Sequence, residues 1–410
     1  MSGNMEKVLR LMVQRQASDV YLSSGAPVQF RIHGTTVPMS DQPLTAAQVR
    51  ALISEVVAPE HLAELDASGE LNVGVQVREG GLFRLSAFRQ SGSIAAVLRC
   101  IPSDIPTLSD LGLPATLESL ILERRGLVLM VGATGTGKST TLAAMLEHRN
   151  RNLSGHILTI EDPVEFQFTH KKSVVNQREV GRDTSSLHVA LRNALRQAPD
   201  VILIGEIRDR ETMSAALSYA LSGHLVVATL HANNSYHALG RILSLYPTDA
   251  RAALLSDLAA GLKAVVAQRL LRSTAGGRVP ALEVMMNTKF IGELIERGDF
   301  NGVREAMEKS MTPGSQTFEQ DLARMVRAGQ VSRDEALQHA DSASNLMWRL
   351  QHDGAGVPAG LPTGVAPAGP ATGTSSAHGR PEAHASRLAT AATPPSTSGA
   401  RPPQFPELSG

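Results

Sequence analysis

Hydrophobic and polar positions change their spacing several times along the chain, and each change predicts a different kind of element. Between Met5 and Gln16 the apolar residues Val8, Leu11 and Met12 recur at helical spacing, and Ser18-Asp19 is predicted to break that helix. The runs VYLSS, VQFRIHG, LNVGVQV, LFRLSAFR and IAAVLRCI follow, each bounded by turn residues, and read as strands. Residues 1–100 are therefore expected to form a small α+β domain. The stretch IPSDIPTLSDLGLP has three prolines and no clear period, which marks residues 101–116 as an interdomain linker. From Leu117 the runs LVLMV, HILTI, VILIG and HLVVATL alternate with amphipathic stretches. Parallel strands buried on both faces read as continuous apolar runs, so residues 117–351 are expected to form an α/β domain with helices covering its sheet. ALEVMM is a further candidate strand, while Leu254–Leu271 and the region from Phe290 to about Leu350 are expected to be helical. From His352 to Gly410 the pattern disappears. That segment holds 10 of the chain's 22 prolines and few bulky apolar residues, so it is expected to be a disordered Pro/Gly/Ala-rich tail.

Composition narrows the function classes. The chain has 410 residues, 39 Lys+Arg against 39 Asp+Glu, and 3% aromatic residues. A zero balance with few aromatics does not favour a nucleic-acid-binding face, and no nucleic-acid partner is expected. The single cysteine, Cys100, cannot form an internal disulfide or a multi-thiolate zinc site, which points to a reducing compartment. The beginning, MSGNMEKVLRLMVQRQ, does not resemble a secretory signal, and no run approaches 18 apolar residues. A cytoplasmic location is expected.

The chemistry is concentrated at the ends of the apolar runs. LVLMV is followed by GATGTGKST and then by a helical pattern, which is the arrangement of a P-loop. Gly132, Ala133, Thr134, Gly135, Thr136, Gly137, Lys138, Ser139 and Thr140 are its candidate nucleotide-binding residues. The glycines let successive N–H groups converge on phosphate oxygens at a helix N-terminus. Lys138 is expected to reach the β- and γ-phosphates, and the Ser139 hydroxyl is expected to hold Mg²⁺. A carboxylate at the C-terminal end of a parallel strand lies beside such a loop, which makes Glu206 of VILIGE the candidate to activate water; an acid stabilised at a helix N-terminus is the simpler alternative. Gly205 stands where many such sites have an aspartate. TIEDPVEF places Glu161, Asp162 and Glu165 together, either around a cation and water network or as a solvated turn. His231 ends HLVVATLH, where it could sense the γ-phosphate or close a loop hydrogen bond.

Taken together, GATGTGKST, IEDPVEF, VILIGEIRDRETM and GHLVVATLHANN resemble the Walker A, Asp box, Walker B and His box of the secretion ATPase superfamily. NQREVG, LRQAPD and MTPGSQTFEQDL extend the resemblance to its PilT/PilU family of type IV pilus retraction ATPases, over roughly residues 4–350. In that family a glycine before the Walker B glutamate is usual. The resemblance implies a PAS-like N-terminal domain, a RecA-like P-loop ATPase core, ATP and Mg²⁺, and a homo-hexamer with ATP between subunits. It implies Glu206 as the catalytic base, Glu161 and Glu165 in the metal and water network with Glu161 near the metal, and His231 in phosphate sensing or subunit coupling. It also implies that Arg84 in FRLSAF and Arg99 in VLRCI reach the nucleotide, although as sequence they are equally well strand arginines with exposed tips. The lone cysteine disfavours the extension branch, whose members usually carry a four-cysteine zinc module. GATGTGKST, EHRNRN and ALQHADSASNL are more similar to PilU than to PilT, and FIGELIERGDF stands where PilT has its AIRNLIRE motif, which implies an accessory retraction motor with a PilT-like partner, working on an inner-membrane platform protein at the inner face of that membrane. The alternatives are a non-hydrolysing ATP-binding scaffold in a mixed ring and a RecA-like nucleic-acid motor.

Overall fold

Strand pairing sorts the molecule into two sheets, one antiparallel and one mostly parallel. The computed structural model describes residues 3–32, 35–77, 81–101, 104–310 and 312–352. Residues 353–410 of the expected tail lie outside these, and His352 is the last residue of a helix, Ala343–His352.

The first sheet comprises β1 (Ala17–Leu22), β2 (Gln29–Ile32), β3 (Thr35–Pro38), β4 (Glu70–Val77), β5 (Gly81–Gln90) and β6 (Ser93–Ile101), in the order β3-β2-β1-β6-β5-β4. Met5, Leu9 and Met12 of the helix Asn4–Gln14 pack into its core with Phe30, Phe83 and Leu98. The expected break at Ser18-Asp19 is corrected. The helix stops at Gln14, the turn is made at Gln16 with φ 53°, and Ser18 and Asp19 already belong to β1. Asp19 is a buried position of that strand, and a buried acid in an otherwise apolar run looks like a turn signal in sequence.

The second sheet comprises β7 (Gly126–Val131), β8 (Gly155–Glu161), β9 (Ser173–Glu179), β10 (Val201–Ile204), β11 (Leu225–Leu230), β12 (Leu262–Arg272) and β13 (Arg278–Met286). Their order is β13-β12-β7-β11-β10-β8-β9, parallel except for β13. Every residue of β7, β10 and β11 is buried. Alternation along these strands divides their side chains between two cores. Leu127, Leu129 and Val131 join Ile202, Ile204, Val226 and Ala228 on one face, while Val128 and Met130 join Val201, Leu203 and Val227 on the other. Each such Leu, Ile, Val or Met side chain contributes about 1.5–3 kcal/mol of burial, which keeps the strands in register and their C-terminal ends aligned.

The expected helix over Leu254–Leu271 is corrected to a helix Arg251–Gly261 followed by β12. The run LKAVVAQ is buried on both faces, so it has no period that separates strand from helix, and its β-branched pair Val265-Val266 favours the strand. Beyond β13 the chain forms the helices Lys289–Glu296, Phe300–Glu308, Phe318–Arg327, Arg333–His339 and Ala343–His352. Among the described residues, no helix is long and apolar enough to cross a membrane.

Candidate functional site

The parallel strands β7, β8, β10 and β11 end on the same edge of the second sheet, and the segments that leave them meet in a cleft of about 900 Å³. That is the edge where α/β sheets bind ligands, and the volume accommodates a nucleotide-sized molecule.

GATGTGKST connects β7 to the helix Lys138–Asn152. Thr134, Gly135, Gly137, Lys138, Ser139 and Thr140 line the cleft, whereas Gly132, Ala133 and Thr136 do not. Gly132 has φ +153° and Gly137 has φ +85°, and a Cβ at Gly132 would stand 2.6 Å from the Gln268 carbonyl oxygen. Only glycine meets both conditions. The Lys138 ammonium donates to the Gly132 and Ala133 carbonyls at 2.9 and 2.8 Å, and burial lowers its pKa despite the opposing charge of Glu206. Ser139 is exposed at the mouth of the helix.

Glu206 follows β10 and has two side-chain partners. Arg208 Nε donates to its Oε2 at 2.7 Å, and His231 Nε2 lies 3.3 Å from its Oε1. Gly205 has a steric reason. A Cβ there would approach the Glu161 Cα and the Ile160 oxygen to 3.3 Å, both backbone atoms of β8. A side chain there would need β8 to give by a few tenths of an ångström.

At the end of β8, Glu161 is buried and its pKa is raised by desolvation, against the hydrogen bond from Thr159 Oγ1 at 2.6 Å. The acidic segment after it is held by β9, the NQREVG strand. Gln177 accepts from the Phe168 N–H at 2.9 Å and donates to the Phe166 carbonyl at 2.8 Å, and Glu179 accepts from the Val164 N–H at 3.0 Å. These bonds present Glu165 and Asp162 to the cleft.

The first sheet closes the cleft with two arginines. Arg84 on β5 and Arg99 on β6 are directly opposite each other, and Arg99 is opposite Asp19 on β1. Arg99 Nε donates to Asp19 Oδ1 at 2.8 Å, which raises its pKa, while its side chain remains 59% exposed to the cleft it lines. Arg84 lies 3.5 Å from Glu165.

The structure thus brings Lys138, Ser139, Glu161, Glu165, Glu206, His231, Arg84 and Arg99 around one space. Sequence reasoning missed Arg208, although it stands two residues after Glu206. It also missed Gln177 and Glu179, which lie in a quoted motif without an assigned task. Arg269 was missed as well. It pairs with Asp341, donates to the Asn233 carbonyl at 3.2 Å and covers the Phe318 ring at 3.9 Å, so it fastens the segment after His231 to the last helices. Only the lone polar pair Gln268-Arg269 in an apolar run signalled it.

Comparison with known proteins agrees with this arrangement. The type II/IV secretion system protein family model matches residues 3–338. The type IV pilus ATPase PilU of Pseudomonas aeruginosa is 45% identical over 84% of this chain and 91% of its own length. The type IV pilus retraction ATPase PilT of the same organism is 38% identical over 84% of this chain and all of its own. A crystal structure of the pilus retraction motor PilT with bound ADP superposes with a TM-score of 0.78 at 38% identity, covering 83% of this chain and 98% of that one. With a P-loop, a strand-end glutamate and family-wide similarity over most of its length, the chain belongs to the type II/IV secretion system protein family and is an ATPase of its PilT/PilU family.

Proposed function

We propose that this ATPase binds ATP in the cleft and powers or assists the retraction of type IV pili, supporting twitching motility, as an accessory motor of the PilU kind. The observation that carries the catalytic reading is the convergence of Lys138 and Glu206 on one cleft with Arg84 and Arg99 from the other sheet. Lys138 exchanges its loop carbonyls for phosphate oxygens. Glu206 orients and deprotonates the attacking water, with His231 and Arg208 setting its position. The arginines neutralise charge that spreads over the transferred phosphoryl group. Mg²⁺ fits the donors present, since the Ser139 hydroxyl and the Glu161 carboxylate are hard oxygen ligands. When bound, it supplies charge neutralisation between the phosphates.

In this reading residues 1–100 act as a PAS-like domain, 117–351 as a RecA-like core and 101–116 as the hinge between them. The assembly is a hexameric ring with nucleotide between subunits, working from the cytoplasm on an inner-membrane platform protein, with a PilT-like ATPase as partner. The higher identity to PilU than to PilT supports the accessory role.

Steady-state ATP hydrolysis by the purified chain beside Glu206→Gln tests it. Turnover should fall about 10²–10⁴-fold in the variant. Pilus retraction that persists in Glu206→Gln cells lacking the partner ATPase would overturn the assignment.

A further inference from the structure

We propose that Gln268 of β12 is a positioning residue that fixes the shape of the P-loop and thereby sets the affinity of the cleft for nucleotide phosphates. Gln268 is 2% exposed, and both ends of its amide are used. Its Nε2 donates to the Thr136 carbonyl at 2.8 Å, and its Oε1 accepts from Thr141 Oγ1 at 2.8 Å. Thr136 is in the loop and Thr141 is in the first turn of the helix that follows, so one side chain ties both to the neighbouring strand. A carbonyl can only accept, which fixes the amide with its nitrogen toward Thr136.

The same residue touches the loop at both ends. Its main-chain carbonyl oxygen occupies the space that a side chain at residue 132 would need, and its side-chain Nε2 stands 2.9 Å from where a Cβ at residue 137 would be. The beginning, middle and end of the loop therefore lie against Gln268.

Few other bonds give the loop its shape. Thr136 Oγ1 donates to the Ala133 carbonyl at 2.9 Å, and the Lys138 ammonium holds the Gly132 and Ala133 carbonyls. Nucleotide competes for that ammonium, because the phosphates recruit it. The Gln268 amide is a constraint that persists when Lys138 turns to the ligand. Leaving the part-buried Thr136 carbonyl without its amide donor, or opposing it with a second acceptor, lets the N–H groups of the loop splay away from the phosphates.

This inference rests on the P-loop being the nucleotide site, and the experiment separates the two. The full-length protein is titrated with a fluorescent ADP analogue as wild type, Gln268→Glu, Gln268→Met and Lys138→Ala. Steady-state KM and kcat for ATP and nucleotide-free thermal unfolding are measured beside it. Gln268→Glu keeps the shape and still accepts from Thr141 but sets an oxygen against the Thr136 carbonyl. Gln268→Met keeps the packing and donates nothing. Both should weaken ADP binding and raise KM about tenfold, with kcat at saturation changed less than KM. If either folded variant binds ADP within threefold of wild type, the proposal is wrong, and a lowered unfolding temperature with normal affinity marks Gln268 as a packing residue. If Lys138→Ala itself retains wild-type affinity, the P-loop reading fails instead. Should Gln268→Glu not fold, Gln268→Met decides the matter alone.

Discussion

The two sheets bring charge to one cleft by opposite routes. In the seven-stranded sheet the reactive groups stand at strand ends, where the chain leaves a fully buried strand. Glu161 ends β8, Glu206 and His231 follow their strands within two residues, and Lys138 follows β7 after the P-loop, so position is set locally. In the six-stranded sheet Arg84 and Arg99 stand inside strands, and what aims them is register: Arg84 opposite Arg99 across a hairpin, and Arg99 opposite Asp19, which is distant in the chain. A strand end tolerates an irregular loop that can wrap a phosphate. A strand interior offers only side chains of fixed direction, and length and charge must do the rest, which suits arginine.

The largest expected effect tests whether the interior arginines matter as much as the strand-end residues. Arg99→Ala and Arg84→Ala should each lower kcat for ATP about 10²-fold or more, while ADP affinity stays within a few-fold. Arg99→Lys should recover little, because lysine keeps charge but not the planar fork. Unchanged turnover in both alanine variants would reduce these residues to ordinary strand arginines. The comparison sharpens with Asp19→Asn, which removes the carboxylate that holds Arg99 Nε at 2.8 Å and leaves the arginine itself in place. Its turnover should lie between wild type and Arg99→Ala.

A smaller effect is expected where the strand-end rule needs support from elsewhere. The segment after β11 is fastened by Arg269 to Asp341 and the last helices. Arg269→Ala should cost about 1–2 kcal/mol in a denaturant titration, since the part-buried Asp341 loses its arginine and the Phe318 ring loses its cover. A loss below about 0.5 kcal/mol would show that the pair is no more than a surface ion pair.

How much of this the sequence revealed follows the same division. The parallel strands β7, β8, β10 and β11 were legible because burial on both faces writes an uninterrupted apolar run, and the groups after them form contiguous motifs. β12 was misread as helix for the same physical reason, since a run buried on both faces has no period. β9 was missed as a strand because SVVNQRE spends its polar residues on holding the acidic segment, and polar residues in a strand look like loop. Gln268 and Asp19 stand out as polar residues in apolar runs, but their tasks were not legible because their partners, Thr136 and Arg99, are distant in sequence. Register and hydrogen bonds between residues distant in sequence are tertiary facts, and a single sequence carries no local mark of them.

The smallest effect concerns a carboxylate that breaks the division, because it lies inside a strand of the second sheet. Glu283 of β13 is 4% exposed and accepts from both the N–H and the hydroxyl of Ser235 at 2.7 Å. Burial raises its pKa to about 7 against those two bonds, and Asp341 and Glu319 push in the same upward direction. The folded value therefore lies above the unfolded value of 4.5. The associated stability is fully present below about pH 4.5 and is lost as pH rises toward 7, where the buried carboxyl is forced to ionise. Glu283→Gln keeps an acceptor for Ser235 and does not titrate. Wild type also contains Glu161, whose pKa is raised by burial, but that group is common to both proteins and cancels in the difference. The Tm of the variant relative to wild type should rise by about 2–4 °C between pH 5 and pH 8 in thermal scans. A difference that stays constant with pH would mean that Ser235 and the surrounding dipoles hold Glu283 ionised throughout, and that an interior strand position can carry a charge as readily as a strand end.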